Sequence, residues 1–73
     1  MSQEEATITV NGRPTAYTTP QMLQELLVTL GYRDRLPFVA VAVNRRCIAR
    51  AAHATTAIVA GDDVEILAPM AGG

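Results

Sequence analysis

Leu23, Leu26, Leu27 and Leu30 fall at i, i+3, i+4 and i+7, so a helix through them carries one apolar stripe. A single amphipathic helix must cover that stripe with another element, and the segments around it have the look of strands. Thr18 and Thr19 offer a hydroxyl N-cap, Pro20 has its φ preset for a first turn, and Thr18 to Gln21 has the spacing of a capping box. The helix is therefore expected to start there. Gly31 stands where a left-handed C-terminal cap is wanted, which makes Leu30 the last core contact.

Before the helix, Ala6, Ile8 and Val10 alternate with Thr7 and Thr9, the period of a half-buried strand. Asn11-Gly12 tolerates positive φ at both positions and predicts a type I′ hairpin into a second strand from Arg13 to Thr18. Pro14 cannot donate to a ladder, so that strand is short or lies at an edge. After a loop through Pro37, Val39 to Val43 reads VAVAV, as in a strand covered on one face and lightly exposed on the other. Asn44 to Arg46 then turns the chain into a short strand around Cys47 and Ile48. Arg50 to Ala57 lacks a period and reads as an irregular connection with room for one helical turn. Gly61-Asp62-Asp63 is a turn, and Val64 to Leu67 is the last strand, with Val64 and Ile66 inward if Ile8 and Val10 are.

These elements predict an α+β domain, a mixed four- to five-stranded sheet with one helix packed on one face. The right-handed crossover rule lets the helix return the chain to a strand parallel to the first. Residues 1–73 read as a single domain, with residues 1–5 expected to be flexible and 69–73 to form a C-terminal tail.

A chain of 73 residues withdraws only roughly 60% of its unfolded surface from water, which leaves little room for a buried pocket. Its one cysteine, Cys47, cannot form an internal disulfide, and with one histidine, His53, it cannot complete a four-ligand zinc site. No metal is expected. No apolar run approaches the roughly 20 residues of a membrane span, and Met1 to Glu5 is polar and acidic where a signal peptide would be basic and then apolar. A cytoplasmic location without a membrane partner follows as the expectation.

All six positive charges are arginine, the formal charge is -1, and no lysine is present to hold a nucleotide phosphate. Without a basic stripe beyond Arg45, Arg46 and Arg50, a nucleic-acid partner is not expected either. His53 lies among alanines with no nucleophile at a recognisable spacing and reads as a surface or loop residue. Cys47, beside Ile48, reads as a small buried hydrophobe. Asp62, Asp63 and Glu65 read as solvated carboxylates of a turn and strand start, able to face a basic partner. No catalytic constellation emerges.

The C-terminus is what remains. Gly72-Gly73 sits behind Pro69 with only Met70 and Ala71 between, a tail that no core contact should hold. Five residues extend about 17 Å at the maximum rise, enough to enter a partner's active site, and glycine brings no side chain to clash in a narrow channel.

The runs AVAVNRRCIAR and AGDDVEILAPMAGG, behind an ITVNG hairpin and an LQELLVTLGY helix, resemble the ThiS family of thiamine-biosynthesis sulfur carriers over nearly the whole chain after Glu5. The most specific pieces are the AVN turn with Arg50 six residues after its Asn, the strand entry from Gly61 to Ile66, and Gly72-Gly73. The sequence departs from the family's commoner pattern at Ala49, where proline often precedes the arginine, and at Cys47. The resemblance implies a β-grasp, ubiquitin-like fold. It also implies that the Gly73 carboxylate is adenylated by a ThiF-like enzyme using ATP. A cysteine desulfurase or other persulfide donor then converts it to a thiocarboxylate, which gives its sulfur to thiazole synthase. Gly72, Ala71 and Met70 would enter the partner's active site, and Leu67 with Asp62, Asp63 and Glu65 would form the partner-binding surface. On this reading the chain is a protein cosubstrate and not an enzyme. It binds no cofactor of its own, since ATP and persulfide sulfur arrive through partner enzymes. Two alternatives stand beside it. One is the small subunit of molybdopterin synthase or a sulfur carrier for another pathway, and the other is a ubiquitin-like interaction module with an inert tail.

Overall fold

The computed structural model describes residues 7–17 and 21–68. Thr7–Val10 (β1) and Arg13–Ala16 (β2) form an antiparallel hairpin around Asn11 and Gly12, whose φ values of 50° and 84° are those a type I′ turn demands. Gln21–Met22 (β3) leads into the helix Leu23–Thr29 (α1). A 3-10 helix over Arg33–Phe38 occupies the expected loop through Pro37. Then come Ala40–Val43 (β4), Arg46–Ile48 (β5), Ala57–Ile58 (β6) and Asp63–Leu67 (β7). The main sheet has the order β2-β1-β7-β4-β5, with β1 and β7 parallel and every other neighbour antiparallel. One helix lies across one face of this mixed five-stranded sheet, which is the β-grasp arrangement. β2 takes an edge, where Pro14 is tolerated.

The strand that follows the helix is not the parallel neighbour of the first. β4 runs antiparallel to β7 and therefore opposite to β1, whereas the last strand, β7, is parallel to β1. The reason is that the crossover starts from β2, which already runs opposite to β1, so a returning strand that keeps β2's direction cannot share that of β1. The slot between β1 and β4 is left for β7.

The helix also begins later than its capping signals predict. Thr18, Thr19 and Pro20 lie outside the described residues, Gln21 and Met22 are strand, and the helix starts at Leu23. Its first two donors are met from a downstream segment, and the N-cap donor from within the helix. Leu23 N–H donates to the Thr56 carbonyl at 2.7 Å, Gln24 N–H to the His53 carbonyl at 3.0 Å, and Met22 N–H to the Glu25 carboxylate at 2.9 Å. The other end closes as expected. Gly31, at φ 98°, donates to Val28 at 3.0 Å, and Tyr32 N–H reaches back to Leu27 at 2.9 Å, a Schellman motif.

Leu23, Leu26 and Leu27 are buried with Ile8, Val41, Val43, Val64 and Ile66 from the sheet, and Val10 and Leu30 pack half-buried against this core. Tyr17, Val39 and Ile58 complete it. The Tyr17 hydroxyl donates to the Ile58 carbonyl at 2.6 Å in a buried bond, so the aromatic end of the first hairpin is tied to β6. The stretch without a period holds a 3-10 turn, Arg50–Ala52, and then β6, which pairs antiparallel with β3. His53 is not a surface residue: it is 3% exposed, and its Nε2–H donates to the Ile48 carbonyl at 3.2 Å. Its own carbonyl takes the Gln24 N–H, which docks this turn against the helix start.

Candidate docking surface

Strand alternation sorts the sheet into a core face and an outer face. On β7, Val64 and Ile66 point into the core, while Glu65 and Leu67 are exposed on the other side. On β4, Val41 and Val43 are buried and Ala40 and Ala42 face outward. Antiparallel register then sets Leu67 opposite Ala40 and Glu65 opposite Ala42, with Cys47 opposite Ala42 on its other flank. Two alanines between larger neighbours leave a hollow. A concavity of about 530 Å³ opens there, lined by Asn11, Ala40, Val41, Ala42, Cys47, Glu65 and Leu67.

Cys47 is exposed on this face and not part of the core. Pairing of Ile48 with Val41 turns the isoleucine toward the core, and pairing of Cys47 with Ala42 turns the thiol outward. Leu67 is 73% exposed, the most exposed of the large hydrophobic residues among those described. It stands at the last position of β7, immediately before the chain runs on toward its C-terminus.

The acidic residues of the strand entry are less alike than their spacing suggests. Glu65 is exposed on the outer face, but Asp62 and Asp63 are half-buried and bound into the fold. Asp62 Oδ1 accepts from Asn44 Nδ2 at 3.0 Å, and Oδ2 accepts from the Val59 N–H at 2.9 Å. Asn44 completes the clasp, accepting from the Asp63 N–H at 3.0 Å through Oδ1 and donating its own N–H to the Asp63 carbonyl at 2.7 Å. Asp62 thus holds the turn at the base of β7. It is not a freely solvated carboxylate. Met70, Ala71, Gly72 and Gly73 lie outside the described residues.

Asn11, Ala40, Ala42 and Cys47 join the surface as well, although spacing and residue type do not assign them to it. The alanines carry a legible signal, since in VAVAV every second residue is small. Asn11 carries none, because its place before Gly12 is already explained by the turn. Among the described residues no three histidine, cysteine or acidic side chains group as metal ligands, and no buried side-chain polar atom lacks a hydrogen-bond partner. No described helix is long and apolar enough to cross a membrane.

The ThiS family model matches residues 8–73. Among solved structures, the crystal structure of a thiamine biosynthesis protein (ThiS) from Geobacter metallireducens is 33% identical over 92% of this chain and 99% of that one, with a TM-score of 0.77. The solution structure of a thiamine biosynthesis protein from Geobacter metallireducens is likewise 33% identical, covers 92% of this chain and 87% of that one, and has a TM-score of 0.79. No curated protein matches the chain.

Proposed function

The chain belongs to the ThiS family, and from that premise we propose that it is a sulfur carrier of thiamine biosynthesis that works through the carboxylate of Gly73. The observation that carries this reading is the family match itself, which extends through Gly73 and so includes the glycine pair. A free carboxylate is a poor electrophile. In the proposed cycle it attacks the α-phosphorus of ATP on a ThiF-like adenylating enzyme, forming an acyl adenylate and releasing pyrophosphate. The terminal sulfur of a persulfide, supplied by a cysteine desulfurase or another donor, then attacks the acyl carbon and expels AMP. A second thiol cleaves the resulting acyl disulfide, forming a disulfide with the donor sulfur and freeing the thiocarboxylate. That sulfur is the nucleophile delivered to thiazole synthase.

The chain's own part is to bind and to present. Leu67 and the alanine hollow give the outer face apolar area next to the root of the tail, and Glu65 adds a charge at its side. Arginine supplies every positive charge, and no lysine or phosphate-cradling loop is present, so the activation chemistry is assigned to the partner and the chain serves as cosubstrate. The test is mass spectrometry of the protein after incubation with its adenylating enzyme, ATP, cysteine and a desulfurase. Replacement of one oxygen by sulfur on Gly73 is expected, and an unchanged C-terminal fragment would overturn the reading.

A further inference from the structure

Pairing between β1 and β7 ends early. The parallel register covers only Thr9 with Asp63 and Val10 with Val64, closed by Asn11 N–H donating to the Val64 carbonyl at 2.9 Å. The chain then swings away through Asn11 and Gly12 into β2. β7 continues through Glu65, Ile66 and Leu67, still paired on its other side with Val41 and Ala40 of β4. On the β1 side no backbone carbonyl of β1 follows to meet the next N–H. Instead the side-chain carbonyl of Asn11 takes it, with Ile66 N–H donating to Asn11 Oδ1 at 2.7 Å in a partly buried bond. An amide side chain stands in for one rung of a parallel ladder.

From this geometry we propose that Asn11 is a positioning residue for the outgoing end of β7, holding Ile66 in line so that the following residues leave the sheet in one direction. The position makes two demands at once. Its φ of 50° is left-handed, which glycine, asparagine and aspartate tolerate best, and the Ile66 N–H requires a side-chain acceptor of short reach. Asparagine meets both. It also lines the outer hollow beside Leu67, so the residue that fixes the strand end borders the surface a partner would cover. The functional half of this inference rests on the carrier reading above. If Ile66 is released, β7 frays from one side and only a fraction of molecules hold Leu67 and Ala68 where a docked enzyme needs them. An apparent affinity falls in proportion to that fraction, while a saturating partner still draws every molecule into the competent state.

Asn11→Gly keeps the turn and removes the acceptor, whereas Asn11→Asp keeps both. Native-state amide exchange read residue by residue should show Asn11→Gly exchanging faster at Ile66 by roughly two- to tenfold, the range that one lost net hydrogen bond gives, relative to amides of α1. In ATP–pyrophosphate exchange catalysed by the adenylating enzyme, KM for the carrier should rise with kcat held, by at most the factor seen in amide exchange, and Asn11→Asp should restore most of both losses. Unchanged exchange at Ile66 in Asn11→Gly overturns the proposal, as does faster exchange with an unmoved KM. Failure of Asn11→Asp to rescue either reading overturns the acceptor role. If the unaltered protein is not adenylated at all, the carrier reading fails, and the exchange measurement still decides whether Asn11 holds the strand.

Discussion

Asn44 Nδ2 and Asp62 Oδ1 meet at 3.0 Å, joining the β4–β5 turn to the turn that opens β7. The same carboxylate accepts from the Val59 N–H, so one side chain closes two loops. Asp62→Ala removes both acceptors and should destabilise the fold by about 1 to 3 kcal/mol, the net value of two hydrogen bonds. Asp62→Asn keeps one acceptor oxygen and should lose about half as much. Denaturant titration of the two variants against the unaltered protein checks this, and a loss under about half a kcal/mol in Asp62→Ala would make the clasp a surface detail.

The leucine stripe contributes more than the clasp. Leu26 is 3% exposed within the core, so Leu26→Ala should cost about 2 to 5 kcal/mol, against a total of about 4 to 11 kcal/mol for a chain of this length. A shift of the denaturation midpoint without a change of slope is expected. A near-neutral result would mean that the helix does not pack as described.

Tyr17→Phe isolates a single hydroxyl. The ring keeps its place in the core, but the Ile58 carbonyl loses its 2.6 Å donor in a buried setting. Loss of one buried hydrogen bond from a carbonyl that lies in the β3–β6 ladder should cost about 0.5 to 1.5 kcal/mol. Thermal melts of the two proteins give the comparison, and equal stability would show that water or another donor replaces the phenol.

Much of this arrangement is legible in the chain, and the exceptions share a cause. Alternation in TITV, VAVAV and DVEIL assigns each residue to a face, and Asn11-Gly12 announces its own turn. Cys47 lies on the face opposite to the expected one because the turn before it is shorter than Asn44 to Arg46. Arg46 pairs with Val43, leaving two residues in the turn, and Arg45 adopts φ 68° although its residue type gives no sign of it. One residue of register reverses a strand's faces. The helix start departs from its capping signals because its partners, the carbonyls of His53 and Thr56, come from a segment about thirty residues downstream that has no period of its own. β3 and β6 are two residues each, too short to show any period. The surface beside Leu67 is readable as an outward row. The second role of Asn11 is hidden behind its first.

Docking through the outer face is tested at Leu67. Because the side chain is 73% exposed, Leu67→Asp should change stability by less than about half a kcal/mol. Affinity for the adenylating enzyme should fall at least tenfold, about 1.4 kcal/mol, if the leucine fills an apolar contact. Met70→Asp is expected to act in the same direction. A calorimetric titration with unchanged affinity for Leu67→Asp would remove this face from the interface.

The thiocarboxylate itself admits a stricter test than a mass gain, because Cys47 is exposed and a persulfide on that thiol would also add sulfur. The two differ in what is lost, since a persulfide inserts sulfur and a thiocarboxylate exchanges it for oxygen. Native protein should be alkylated at Cys47 without unfolding, in keeping with its outward position on β5. Cys47→Ser should therefore be thiolated at Gly73 as well as the unaltered protein is. Deleting Gly73, or adding residues after it, should abolish the exchange while leaving the denaturation midpoint in place, because the reacting carboxylate would stop short of the activated phosphate or overshoot it. Sulfur recovered on Cys47 alone, or full thiolation of a tail-extended chain, would show that the protein does not carry sulfur on its last residue and would favour a module that only binds.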